Sequence, residues 1–120
     1  MGDISQHFDR KEFACRCGCG FDTVDAELVT VLENLRDQLK GRPIRINSGC
    51  RCVRHNAKVG GAENSVHRTG KAADIVVQGL DADIVADCLE ELYPDKYGIG
   101  RYPNFVHIDV RTVKARWNKR

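Results

Sequence analysis

A chain of 120 residues is long enough to bury one hydrophobic core without metals or disulfides as structural necessities. Its 19 basic and 17 acidic residues leave a formal net charge of +2, too balanced to argue for duplex nucleic acid on charge alone. No apolar run approaches the roughly 20 residues that span a bilayer. The stretch Met1–Phe8 has no basic region followed by an apolar core, so the sequence as written is expected to be cytosolic at synthesis and to form a single domain over residues 1–120.

Residues 1–22 carry little periodicity and much glycine and cysteine, and read as an irregular lead-in pinned to the body by Phe8, Phe13 and Phe21. Of the six cysteines, Cys15, Cys17 and Cys19 alternate with Arg16 and Gly18, while Cys50 and Cys52 flank Arg51. None of these spacings is the C-x-x-C knuckle of a zinc ribbon. Two readings stay open: reduced structural thiols, or a second thiolate metal site or cross-link joining the first group to Cys50 or Cys52. Cys88, alone in a helical pattern, reads as a buried small hydrophobe.

From Asp25 the pattern becomes helical. Leu28, Val31, Leu32, Leu35 and Leu39 recur on one face, with Glu33, Asn34, Arg36 and Asp37 opposite. Thr23 or Asp25 can cap this helix, and Gly41 and Pro43 stop it. It is expected to pack on a sheet. Ile44–Asn47 alternates as a short strand leading to Ser48-Gly-Cys-Arg51, and the polar residues 53–64, with Gly60-Gly61, read as a loop or a single helical turn. Lys71–Val77 reads as a strand with Ala72, Asp74 and Val76 on one face.

A second helix is expected from Leu80, with Asp81 as N-cap, and Ile84, Val85, Cys88, Leu89 and Leu92 on its apolar face, ending near Tyr93-Pro94. Gly98–Tyr102 and Phe105–Val110 can pair as a hairpin through Pro103-Asn104. In the second of these strands, Phe105, His107 and Asp109 share one face. The basic tail, with Arg111, Lys114, Arg116, Lys119 and Arg120 around Trp117, reads either as a solvated face or as an attraction to an acidic surface such as a bacterial cell wall.

His67, Asp74 and His107 together supply two imidazole nitrogens and a carboxylate, a set suited to zinc. A hydrolytic zinc site keeps three protein ligands and leaves the fourth position to water. Taken singly, each of these residues has an ordinary explanation as surface, cap or ion-pair partner. Their combination, in a chain with four histidines, is what points to a metal.

The residues also carry a resemblance. Ser48-x-x-Arg51, the Asn-x-x-x-Gly-Gly segment ending at Gly61, Ser65-x-His67-x-x-Gly70-x-Ala72-x-Asp74, and Gly98-x-Gly100-x-Tyr102 leading to Phe105-Val-His107-x-Asp109-x-Arg111 together resemble the zinc D-Ala-D-Ala carboxypeptidases and phage-type peptidoglycan endopeptidases. The likeness is to the small single-domain branch of that family, from about Phe8 to Trp117. It implies an α+β fold shared with lysostaphin-like enzymes and the hedgehog signalling domain: a small antiparallel sheet flanked by helices, with zinc on its open face. It implies that His67, Asp74 and His107 hold Zn2+, and that Arg51 contacts the substrate carbonyl or carboxylate, where a guanidinium can stabilise an oxyanion. Ser65 is implied as a support for the site or a contact to the substrate amine, against its plain reading as a loop cap.

The sequence departs from the family in one chemical respect. Many relatives carry a glutamate three residues before the last zinc histidine, or a histidine two before it, as the base. Here those positions are Asn104 and Phe105. Asp109 is the nearest remaining carboxylate, and it either acts as the base, orients a ligand or pairs with Arg51 or Arg111. Cys50 stands where relatives have an aromatic.

The leading expectation is a zinc hydrolase of cell-wall peptides, a D,D-carboxypeptidase or an endolysin-type endopeptidase of phage or prophage. It would act as a monomer on peptidoglycan once released, with neither nucleic acid nor membrane insertion involved. The alternative from another class is a zinc-bearing binding domain without turnover. A third reading makes the cysteine cluster the metal site of a nucleic-acid-binding module, against which the near-neutral charge argues.

Overall fold

The computed structural model describes residues 5–14, 24–48 and 71–119. The lead-in contains a 3-10 turn over Arg10–Phe13, opened by a capping box between Asp9 and Glu12. Phe8 and Phe13 are buried against each other, with ring centroids 6.1 Å apart, so these two of the three expected pins hold. Phe21 lies outside the described residues, as do Cys15, Cys17, Cys19, Cys50, Cys52 and the expected loop of residues 53–64.

Helix α1 spans Ala26–Gln38. The Asp25 carboxylate caps it by accepting the Glu27 N–H at 2.8 Å, one of the alternatives read from the sequence. At the other end the Gly41 N–H reaches back to the Arg36 carbonyl at 2.8 Å, with Gly41 at φ +80°, a left-handed stop that glycine adopts without strain. Helix α2 spans Ala82–Leu92, with Asp81 at its N-cap position but making no side-chain cap bond. Its buried face is Val85, Ala86 and Leu89. Ile84, expected on that face, is 48% exposed, and Cys88 is only partly covered. Burial pushes the Cys88 thiol above its ordinary value, and the nearby Glu91 adds to this.

Five strands form one sheet: β1 Ile44–Ser48, β2 Ala72–Val77, β3 Gly98–Arg101, β4 Val106–Asp109 and β5 Ala115–Asn118, in the order β1-β2-β4-β3-β5. The β3–β4 hairpin forms as expected, and its turn closes with the Tyr102 N–H on the Phe105 carbonyl. Strand β5 is a correction to the reading of the basic tail. Residues 115–118 pair in parallel with β3, so the sheet is not wholly antiparallel. The reason is that Arg116 is not a solvated cation: it donates to the carbonyls of Tyr93, Lys96 and Tyr97, the backbone acceptors that follow the end of α2.

One face of the sheet packs on the helices. Ile44, Ile46, Ala73, Ile75, Val77, Ile99, Val106 and Ile108 meet Leu28, Val31, Leu32 and Leu35 of α1 and Val85, Ala86 and Leu89 of α2 in one core. On that face β3 carries Arg101, whose guanidinium bridges to Asp83, Asp87 and Glu90 of α2. Tyr97, at φ +69°, donates its hydroxyl to Glu27 of α1 at 2.7 Å, so β3 is anchored to both helices. Burial and that hydrogen bond push its phenol up to about 12.

No helix among the described residues is long and apolar enough to cross a membrane. Leu89 is fully buried between α2 and the sheet. Leu89→Ala is expected to cost about 2–5 kcal/mol, read as a fall in the denaturant midpoint at unchanged slope. A loss below about 0.5 kcal/mol, the range of surface substitutions, would show that the helix does not seal this face.

Candidate metal centre

The other face carries the polar side chains. Backbone register lines up Asp74 of β2 with His107 of β4, His107 with Gly100 of β3, and Gly100 with Trp117 of β5. The next row is Ala72, Asp109, Gly98 and Ala115. Strands lie about 4.8 Å apart, so β4 and β5, separated by β3, are beyond ordinary side-chain neighbours. The two glycines remove that separation. A Cβ on Gly98 would sit 2.5 Å from both Asp109 carboxylate oxygens and 2.7 Å from Arg111 Nε, and one on Gly100 would collide with Cε2, Nε1 and Cζ2 of the Trp117 indole. The space above β3 is filled by its neighbours' side chains.

His107 sits between two carboxylates. Its Nδ1 lies 3.0 Å from Asp74 Oδ1 and its Nε2 lies 2.7 Å from Asp109 Oδ2. Asp109 is wholly buried and gripped by Arg111, whose Nε donates to Oδ1 at 2.8 Å and whose Nη2 donates to Oδ2 at 2.7 Å. The Arg111 backbone N–H is its third donor to the carboxylate and the second to Oδ1. This fork-to-fork pairing is the stronger kind of charge-assisted contact. It realises one pairing foreseen for Asp109, that with Arg111.

Burial opposes charge on Asp109, but the hydrogen bonds from His107 and Arg111 outweigh it and hold the carboxyl far below the usual range. Burial likewise disfavours an imidazolium at His107, yet the hydrogen bonds to Asp109 and Asp74 outweigh it and raise its pKa. A neutral imidazole has one N–H and can satisfy only one of the two carboxylates. The other ring nitrogen then faces an anion with its lone pair, unless it takes a second proton or a cation stands beside both.

That need is the test of fit for a metal. In the tautomer that carries its N–H on Nε2, facing Asp109, Nδ1 and Asp74 Oδ1 stand side by side as a nitrogen and an oxygen donor. Two ligands at tetrahedral zinc, each about 2.0–2.1 Å from the ion, stand about 3.3 Å apart. The observed 3.0 Å is close to this. The buried carboxylate on the far ring nitrogen matches the partner that metal-bound histidines commonly have. Among the described residues no three His, Cys, Asp or Glu side chains form a group able to hold an ion alone. His67, the third ligand expected from the sequence, lies outside the described residues together with Arg51 and Ser65. The structure therefore brings together Asp74, His107 and Asp109.

Sequence reading noted Trp117 in the tail and the two glycines in the resemblance, but gave none of them a role at the site. The indole lies 5.0 Å from the His107 ring and 5.2 Å from the Arg111 guanidinium carbon, and its N–H donates to the Tyr102 hydroxyl at 3.0 Å. Tyr102 in turn stacks on Phe105 at 4.4 Å, their planes 10° apart. Aromatic and cation–π contacts of this kind contribute on the order of 0.5–2 kcal/mol each. The available signal was the alternation itself: Gly-x-Gly facing His-x-Asp across a short hairpin.

A sheet bearing an aspartate–histidine pair on its open face, backed by a buried carboxylate, defines a candidate metallohydrolase domain. The peptidase M15 family model matches residues 6–109, and the chain belongs to that family. Over 50 residues it is 46% identical to the zinc D-Ala-D-Ala carboxypeptidase of Streptomyces albus G, a match covering 40% of this chain and 20% of that relative. The chain thus aligns with about a fifth of that relative's length.

Gly98→Ala is expected to cost about 1–3 kcal/mol, the range for overpacking a filled site, read by equilibrium denaturation. An alanine variant as stable as the parent would mean that Asp109 and Arg111 move aside freely.

Proposed function

We propose that this protein is a zinc peptidase that cleaves a peptide bond in bacterial cell-wall peptides, as a D,D-carboxypeptidase or an endolysin-type endopeptidase. The carrying observation is the side-by-side Asp74 and His107 within residues matched by the peptidase family. The name of the Streptomyces albus G relative supports both the metal and the D-Ala-D-Ala substrate class. His67, Asp74 and His107 would hold the ion. When bound, zinc supplies a Lewis acid and a water whose pKa is lowered to about 7.

The chain's own residues do the rest. Asp109 keeps the proton on His107 Nε2 and so presents Nδ1 as a donor; Arg111 keeps Asp109 ionised and fixed. We assign Asp109 this orienting role rather than that of general base, because hydrogen bonds occupy both of its oxygens and a carboxylate held so acidic is a weak proton acceptor. Arg51 would offer its guanidinium to the oxygen that gains charge as the peptide carbonyl is attacked. Ser65 would contact the substrate amine or support that loop. The protein would work as a monomer on peptidoglycan peptides, without nucleic acid.

Products released from defined wall peptides, identified by mass spectrometry beside metal analysis, test this directly. Chelation is expected to abolish cleavage and added zinc to restore it; full cleavage by metal-free protein would refute the proposal. Asp109→Asn, which leaves one acceptor oxygen for His107 and Arg111 to share, is expected to weaken zinc binding about 10–100-fold. An unchanged affinity with lost turnover would instead return Asp109 to the role of base.

One observation favours a second reading, a zinc-bearing binding domain without turnover. Neither Asn104 nor Phe105 can serve as a base, and Asp109 is fully engaged. Zinc occupancy with no product from any wall peptide would establish that reading; turnover excludes it.

A further inference from the structure

We infer that Trp117 is a positioning residue of the metal centre, closing from strand β5 over the imidazole of His107, with Gly100 as the gap that lets it reach. Trp117 lies outside residues 6–109, the part of the chain that the family model matches. Its role is therefore read from geometry. The residue sits on the sheet's edge strand, two strands from His107, in the register row that holds Asp74, His107 and Gly100. Any side chain at position 100 would occupy the volume the indole fills.

The contacts made by Trp117 converge on groups that determine how His107 is held. The indole packs against the His107 ring, centroids 5.0 Å apart and planes tilted by 48°, and lies 5.2 Å from the Arg111 guanidinium carbon, while its N–H donates to the Tyr102 hydroxyl at 3.0 Å. Arg111 fixes Asp109, and Asp109 fixes His107 Nε2. The tryptophan thus braces both ends of one chain of hydrogen bonds. An imidazole free to rotate about its Cβ–Cγ bond would exchange which edge faces Asp74. With the indole in place, that rotation is obstructed and the Nδ1 edge stays beside Asp74. The role deepens the zinc reading and rests on it for its consequence in metal binding.

The test uses the full chain, in which Trp117 is the single tryptophan. Zinc affinity is measured by competition with a chromophoric chelator for the parent, Trp117→Phe, Trp117→Ala and Gly100→Ala, with circular dichroism and thermal melts to confirm folding. Trp117→Ala is expected to weaken zinc binding about tenfold or more, as loss of an outer-shell support does. Trp117→Phe, which still covers the ring, should stay within about threefold of the parent on the same scale. Gly100→Ala, which displaces the indole without removing it, should match Trp117→Ala.

A reading free of any substitution comes from Trp117 emission in the parent. Cobalt(II), with its open d shell, is expected to quench it stoichiometrically, whereas zinc, a d10 ion, should not. Alanine variants that bind zinc as tightly as the parent, or cobalt that binds without quenching, overturn the positioning role alone. A parent that binds no zinc overturns the proposed function and this role with it.

Discussion

The centre depends on a row of side chains laid across four strands in register, with one place in the row left empty. Asp74, His107 and Trp117 belong to β2, β4 and β5, and the strand between the last two contributes Gly100. A sheet ordinarily keeps residues two strands apart from touching. Here the missing Cβ allows a large aromatic to cross the gap and pack at a tilt against the imidazole. Gly98 does the same one row along, leaving room for the Asp109–Arg111 pair. The glycines weaken β3 as a strand in themselves. That weakness is offset by Arg101 and Tyr97, which tie β3 to α2 and α1 on the opposite face.

Electrostatics gives this packing a direction. Two carboxylates flank His107, and one of them is neutralised by Arg111. On its other side, His107 Nδ1 lies 3.0 Å from Asp74 Oδ1. A buried charge cluster of this kind is weak evidence for stability, because desolvation offsets much of the attraction. The apolar side of the sheet carries the stability instead, with Ile75, Ile99 and Ile108 buried against both helices.

Much of this was legible in the sequence because local chemistry agreed with the fold. The Asp25 cap, the Gly41 stop and the 3.6-residue spacing of Leu28, Leu32 and Leu35 define α1 almost completely. Strict alternation in residues 105–110 put His107 and Asp109 on one face. What escaped depends on pairings distant in the chain. Arg116 looks like a solvated cation until the end of α2 arrives with its carbonyls, so β5 was read as tail. Ile84 satisfies the helical period but lies at the margin of the apolar stripe, and the smaller Ala86 takes the core position. Trp117 could not be assigned to the centre because nothing in its own neighbourhood says that it lies opposite a glycine. The metal-site expectation fared unevenly for a similar reason: Asp74 and His107 meet across paired strands, whereas Ser65, His67 and Arg51 fall outside the described residues.

The most direct measurement is a crystal structure of the zinc-loaded protein with anomalous scattering at the zinc edge. The expected result is one strong peak about 2.0–2.2 Å from both His107 Nδ1 and an Asp74 oxygen, with Nε2 still against Asp109. Zinc bound through His107 Nε2 with Asp109 displaced, or a peak remote from the Asp74–His107 pair, would contradict it.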